Sequence, residues 1–191
     1  MIGLTGFYCS GKSTVEKIIQ NDYNFYIIDV DKIGHLALEE KKETLVETFG
    51  QEILTEGKIN RKILGKIVFS DKKELQKLNS IVHPFMVLKV KELIESCNNP
   101  KICINAALLY EMGLNELCQK IIIVKISLLK TFQRAKERDG ASFLKVLKII
   151  TSQKVMKLAN KNKEKSEIFF VNNNSMLNNL KQQIDNVIKR C

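Results

Sequence analysis

The chain has 191 residues, 31 of them basic and 21 acidic for a net charge of +10, and 45% of them apolar. That length and apolar content exclude a wholly disordered chain and allow one domain with a real core, or one core carrying insertions. The charge suits polyanionic partners such as nucleic acid, an anionic membrane or phosphorylated metabolites, but the basic residues are scattered, which favours a general lysine-rich surface over a nucleic-acid face.

Taken in chain order, Ile2 to Thr5 is a short apolar run that predicts a strand, and Val15, Ile18 and Ile19 line one face of a helix after it. Phe25 to Ile28 predicts a second strand, ending at Asp29. The stretch from about 32 to 100 reads as mainly helical. Within it, Leu75, Leu78, Ile81, Val82, Phe85, Val90, Leu93 and Ile94 recur at helical spacing, and Pro84 is expected to kink or divide the helix. Ile102 to Ile104 predicts a third strand ending at Asn105, and Ile121 to Ile126 a fourth. Leu128 to Arg138 and Phe143 to Met156 read as two helices joined by an Asp139-Gly140 turn, and the lysine-rich stretch Lys154 to Lys165 as mobile and solvated. Ile168 to Val171 predicts a fifth strand, followed by the cluster Asn172 to Asn174. A last helix is expected to be capped by Ser175, with Leu177, Leu180, Ile184, Val187 and Ile188 on one stripe. The strand runs are β-branched and aromatic without strict alternation, as in strands buried on both faces of a parallel sheet. Alternation with helices predicts an α/β architecture, with a parallel sheet sandwiched by helices.

The five cysteines, Cys9, Cys97, Cys103, Cys118 and Cys191, include no C-x-x-C pair, and His35 and His83 are the only histidines. A zinc site has almost no ligand supply, and free thiols in a reducing cytoplasm are expected. Met1 runs directly into Ile2-Gly3-Leu4-Thr5 without a basic or apolar leader, so no secretory signal is expected. Apolar runs such as Ile121 to Val124 are far too short to span a bilayer.

The chemistry enters at Gly6-Phe7-Tyr8-Cys9-Ser10-Gly11-Lys12-Ser13, a G-x-x-x-x-G-K-[ST] match following a strand. A phosphate needs several donors at once, and glycines let such a loop curl its backbone N–H groups inward while the next helix adds its N-terminal dipole. Tyr8, Cys9, Ser10, Gly11, Lys12, Ser13 and Thr14 are therefore the expected nucleotide-binding residues, with Lys12 on the β- and γ-phosphates and Ser13 on Mg²⁺. A GTPase would carry N-K-x-D, but Asn160-Lys161-Asn162-Lys163 lacks the aspartate. A motor-type ATPase would end an apolar strand in a metal-organising acid, where the third strand has Asn105. The second strand instead leads into Asp29-Val30-Asp31, carboxylates placed at a strand's carboxyl end, where one can orient the proton of an attacking hydroxyl. Asp31 could also cap the helix from Lys32 onward. Arg134 and Arg138 stand one helical turn apart, as a lid supplying guanidinium groups to a transferring phosphoryl would require.

Taken together, the motifs resemble the dephospho-CoA kinase family from Met1 to about Asn174. The likeness runs through Ile2 to Gly6 and Ser10 to Thr14, and Ile28-Asp29-Val30-Asp31-Lys32-Ile33-Gly34-His35 resembles the family's D-A-D-x-I segment. Phe49-Gly50, Gly57 to Arg61, Leu64-Gly65 and Val68-Phe69 follow in the family's order. Ile81-Val82-His83-Pro84 resembles its H-P motif, Leu108-Leu109-Tyr110-Glu111 its P-L-L-F-E segment, and Arg134 to Gly140 the start of its lid. The resemblance implies a single P-loop kinase domain over 1–191, with a helical acceptor-binding insertion at about 32–100 and a helical lid at about 130–165. It implies transfer of the ATP γ-phosphoryl, with Mg²⁺, to the ribose 3′-hydroxyl of dephospho-CoA. By matching position Asp31, Lys12 and Arg138 would be catalytic, Ser13 a metal ligand, and Thr5, Asp31, Arg61, His83, Tyr110 and Glu111 would serve the acceptor. A cytoplasmic monomer or weak homo-oligomer, with neither nucleic acid nor membrane as partner, is the matching expectation. The chain departs from the pattern at Phe7-Tyr8-Cys9, at Asn105 and Ala107 in place of aspartate and proline, and at Ile149 before Gln153. Rival readings are a kinase of another nucleoside or nucleotide, and a catalytically degenerate nucleotide-binding module.

Overall fold

The computed structural model describes residues 1–162, 164–174 and 176–189. In chain order the elements are β1 (Ile2–Gly6), α1 (Lys12–Tyr23), β2 (Tyr26–Asp29), α2 (Val30–Glu40), α3 (Lys42–Phe49), β3 (Leu54–Thr55), β4 (Lys58–Ile59), α4 (Arg61–Ser70) and α5 (Lys72–Glu95). They continue as β5 (Ile102–Asn105), β6 (Lys120–Lys125), α6 (Leu128–Asp139), α7 (Phe143–Ser152), α8 (Val155–Lys161), β7 (Glu167–Asn172) and α9 (Leu177–Ile188). Two compact units divide the chain, one formed by Met1–Ile28 with Cys97–Cys191 and the other by Asp29–Ser96.

The first unit is built on a five-stranded sheet of order β2-β5-β1-β6-β7, flanked by helices. The β1–β5, β1–β6 and β6–β7 pairs are parallel, so their carboxyl ends share one edge. Register places Asn105 beside Leu4, Val124 beside Gly6, and Asn172 beside Lys125. That edge is where open α/β sheets gather their ligands. The apolar strand runs are buried because helices cover them: Leu4, Ile122, Val124 and Val171 pack with Val15, Ile18 and Ile19 of α1 and with Leu180, Ile184 and Val187 of α9. The stripe expected on the last helix is thus its core face, while the proposed Ser175 cap lies outside the described residues. Buried Cys103 and Cys118 are free thiols, as are Cys9 and Cys97, and burial pushes the Cys118 thiol up to about 12, far from reactive thiolate. Cys191 lies outside the described residues.

The second unit packs α2, α4 and α5 together around Leu45, Phe49, Ile53, Ile59, Leu64 and Val68. It also contains a feature that helical periodicity did not announce, the antiparallel pair β3–β4. The residues between the strands, Glu56 and Gly57, have φ of 51° and 74°, the left-handed pair that a tight hairpin requires. Three helices of this unit begin with short polar caps. The Asp29 carboxylate accepts from the N–H groups of Asp31 and Lys32, Asn60 caps α4, and Asp71 caps α5.

Three local expectations change. Pro84 lies inside α5, which runs unbroken for 24 residues. Proline removes one backbone hydrogen bond, but burial of Val82, Met86 and Val90 along the same helix outweighs that loss. The helix expected over Phe143 to Met156 divides at Gln153, whose backbone is extended (φ −70°, ψ 126°). Residues Val155–Lys161, read as solvated coil, form α8 because Val155 and Ala159 bury one side of it. Among the described residues, no helix is long and apolar enough to cross a membrane.

Candidate active site

The loop between β1 and α1 is held at both glycines by lack of space. A Cβ on Gly6 would stand 2.8 Å from the Ser10 hydroxyl and 2.9 Å from the Val124 carbonyl. Gly11 has φ of 86°, and a Cβ there would fall 2.1 Å from the Asn173 amide nitrogen. The Phe7 N–H donates to the Val124 carbonyl at 3.1 Å, the Ser10 N–H to the Phe7 carbonyl at 3.0 Å, and the Asn173 amide to the Ser10 carbonyl at 2.8 Å. The loop is therefore pinned to β6 and to the chain just beyond β7. The N-cap of α1 is Gly11, which has no side chain to cap the helix. The Ser10 hydroxyl is buried without a hydrogen-bond partner among the described residues.

Lys12 opens α1, and its ammonium donates to Asn105 Oδ1 at 2.5 Å. The other end of that amide, Nδ2, donates to the Glu16 carboxylate. Asn105 is 3% exposed at the end of β5. An amide can accept from an ammonium and donate to a carboxylate at once, which a carboxylate cannot, so the departure at Asn105 is matched by its surroundings. Ser13 is exposed in the first turn of α1.

Of the two arginines on α6, Arg134 reaches the loop, donating to the Cys9 carbonyl at 3.3 Å. Arg138 forks onto Asp139, with Nε–Oδ1 at 2.9 Å and Nη2–Oδ2 at 2.7 Å, and lies over the Tyr8 ring at 5.2 Å from its centre. Tyr8 donates its phenol to the same carboxylate. Arg138 and Tyr8 hold Asp139 down at about 2, whereas burial, then the Asp139 hydrogen bond, pushes the Tyr8 phenol up to about 12. The Tyr8 N–H donates to Gln153 Oε1 at 3.2 Å, which accounts for the extended break before α8. Tyr8 and Cys9 pack against Ala135, Ala141 and Val146, and Phe132 of α6 stacks on Phe143 of α7 at 4.4 Å. The aromatic departure in the loop is thus a packing surface for α6 and α7.

Thr5 is fully buried and donates to the Ala107 carbonyl at 3.3 Å. Tyr110 is 7% exposed, its hydroxyl buried without a hydrogen-bond partner among the described residues, and burial pushes its phenol up to about 12. Glu111 is exposed.

In the second unit Asp31 is exposed in the first turn of α2, and capping that helix falls to Asp29 rather than to Asp31. Arg61 pairs with His35 Nε2 at 2.7 Å. Both line a pocket of about 700 Å³ with Thr55, Lys58, Asn60 and Lys62, a basic wall for an anionic ligand. His83 is half-buried on α5, and burial lowers its pKa from the usual 6.5. The folded state therefore binds that proton less readily than the unfolded chain. Its stability is intact above pH 6.5 and declines as pH falls below it. His83→Gln is expected to flatten the fall of melting temperature between about pH 6.5 and pH 5; an unchanged acid limb would place the titration elsewhere.

The sequence pointed to Lys12, Ser13, the loop and both arginines. It did not single out Glu16, Asn173, Gln153 or His35 as site residues. Asn173 had a signal in the asparagine cluster at a strand's carboxyl end, and Gln153 one in the lid pattern. Glu16 had none beyond its one-turn spacing from Lys12.

A family model for dephospho-CoA kinase matches residues 1–179. A dephospho-CoA kinase of Borreliella burgdorferi is 50% identical over 126 residues, covering 65% of this chain and 62% of its own, so that match reaches under two thirds of the relative's length. A dephospho-CoA kinase of Fusobacterium nucleatum is 38% identical over 188 residues, covering 97% of this chain and 95% of its own. A crystal structure from Thermus thermophilus superposes with a TM-score of 0.81 at 28% identity, over 99% of this chain and 96% of that one.

Proposed function

The chain belongs to the dephospho-CoA kinase family, and on that premise we propose that it transfers the γ-phosphoryl of ATP to the ribose 3′-hydroxyl of dephospho-CoA. The observation that carries the reading is the loop itself, where a Cβ is excluded at Gly6 and Gly11 and the Lys12 ammonium reaches Asn105 at the end of β5. Such a loop presents backbone N–H groups from within the stretch Tyr8 to Thr14 to the phosphates, and Lys12 balances the charge of the β- and γ-oxygens. Asp31 orients and accepts the proton of the attacking hydroxyl. Arg138 stabilises the phosphoryl in flight, exchanging its Asp139 partner for phosphate oxygens. Arg61 and His83, with Thr5, Tyr110 and Glu111, serve the acceptor. The basic pocket holding Arg61 and His35 supports an anionic acceptor.

The donor set suits Mg²⁺, a hard cation that takes oxygen ligands, keeps several waters and relies on substrate phosphates. The exposed Ser13 hydroxyl is its proposed protein ligand, and no cluster of three or more His, Cys, Asp or Glu that could hold a metal by itself occurs among the described residues. With Ser13 holding it, Mg²⁺ would supply positive charge against that of the phosphates.

The test is phosphoryl transfer from Mg-ATP to dephospho-CoA, set beside adenosine, AMP and cytidine. Product phosphorylated at the 3′-hydroxyl, from dephospho-CoA alone, is the expected result. Transfer to a rival acceptor, or ATP binding without transfer to any, would overturn the assignment.

A further inference from the structure

In P-loop enzymes that hold Mg²⁺ with the loop hydroxyl, a second group, an aspartate at the end of a neighbouring strand, usually helps fix the metal. Here the strand beside β1 ends in Asn105, an uncharged amide. A carboxylate in contact with that amide comes from the helix instead. Glu16 stands three residues after Ser13 and four after Lys12, so it neighbours each of them on the surface of α1. The buried Asn105 amide then ties Glu16 to Lys12, accepting from the ammonium and donating to the carboxylate. An aspartate at position 105 would set two carboxylates against each other, so the amide and the glutamate form a matched pair.

We propose that Glu16 is a positioning residue for the magnesium of the bound nucleotide, the carboxylate having moved from the strand end to α1 and being held there by Asn105. It acts on the ion through its coordinated waters, alongside the Ser13 hydroxyl. The inference rests on the kinase reading above, because it presumes a nucleotide in the loop. A carboxylate that served only to brace Lys12 would affect ATP binding with and without metal alike. One that positions the ion affects only the metal-dependent part.

The experiment is calorimetric titration of ATP into the full chain, in EDTA and over a series of Mg²⁺ concentrations. Glu16→Gln keeps the side-chain shape and an acceptor for Asn105 while removing the charge. Its half-saturating Mg²⁺ is expected to rise about tenfold, in line with losses on removing groups that orient metal ligands, while ATP binding in EDTA is unchanged. The exchange variant Glu16→Gln with Asn105→Asp, which returns the carboxylate to the strand, should restore the Mg²⁺ dependence to within about twofold of wild type. An unshifted Mg²⁺ dependence in Glu16→Gln, or equal losses with and without metal, overturns the proposal. If that variant melts below the assay temperature, Glu16→Ala read in the same way decides: a raised half-saturating Mg²⁺ with unchanged binding in EDTA supports the proposal, and an unshifted dependence overturns it. Wild-type protein that binds no ATP in either condition would overturn the kinase reading itself, a result distinct from the failure of Glu16 alone.

Discussion

Lys12→Ala is expected to lower kcat/KM for phosphoryl transfer by about 10³-fold while leaving the fold intact, as read by steady-state kinetics beside a melting curve. The size follows from where charge develops. In phosphoryl transfer the protein contributes positioning and electrostatic stabilisation, and a preorganised cation aimed at the β- and γ-oxygens acts where water is excluded. Lys12 is preorganised: it opens α1, and its ammonium is steered by Asn105 at 2.5 Å. Truncation leaves the Asn105 carbonyl without that donor, a local cost of about 1–3 kcal/mol that the surrounding core absorbs. Wild-type rates in Lys12→Ala would defeat the assignment of Gly6 to Thr14 as a phosphate cradle.

Asp31→Asn is expected to lower kcat by about 10²- to 10⁴-fold with ATP affinity nearly unchanged. Asparagine keeps the shape and loses the ability to take a proton. The helix should survive the change, because the Asp29 side chain, not that of Asp31, accepts from the Asp31 and Lys32 amides at 3.1 and 3.2 Å. The proposed contacts to ATP come from Tyr8 to Thr14, in the other compact unit of the chain. Pre-steady-state kinetics with separate ATP titration would distinguish the outcomes. Matching losses in rate and affinity would make Asp31 a structural residue and leave the proton acceptor to be found elsewhere.

The two arginines of α6 illustrate how sequence position and structural position diverge. Arg134 and Arg138 are one turn apart, and the sequence alone gives them equal claims on the phosphate. In the fold, Arg134 contacts the loop backbone at Cys9, while Arg138 is held by Asp139 above the Tyr8 ring. Engagement of Arg138 in catalysis therefore entails release from a carboxylate already deprotonated down to about pH 2, so the exchange does not wait on a proton in the neutral range.

What the sequence determined by itself was whatever depends on neighbouring residues. The β-branched runs Ile2 to Thr5 and Ile121 to Ile126 specify buried parallel strands, the spacing of Leu180, Ile184 and Val187 specifies a helix face, and the glycines at 6 and 11 specify a curled loop before Lys12. Pairing between distant groups, by contrast, is visible in the fold alone. Asn105 meets Lys12 across 93 positions and Glu16 across 89, Gln153 meets Tyr8 across 145, and Asn173 meets Ser10 across 163. The order of the parallel strands brings Asn105 and Asn173 to the loop, packing of α6 and α7 on Tyr8 brings Gln153, and periodicity carries no record of which element lies beside which. Packing likewise overrode local preference at Pro84, where burial along α5 outweighed the missing N–H, and at Gln153, where a hydrogen bond to the loop accompanied an end to the helix that apolar spacing would have continued.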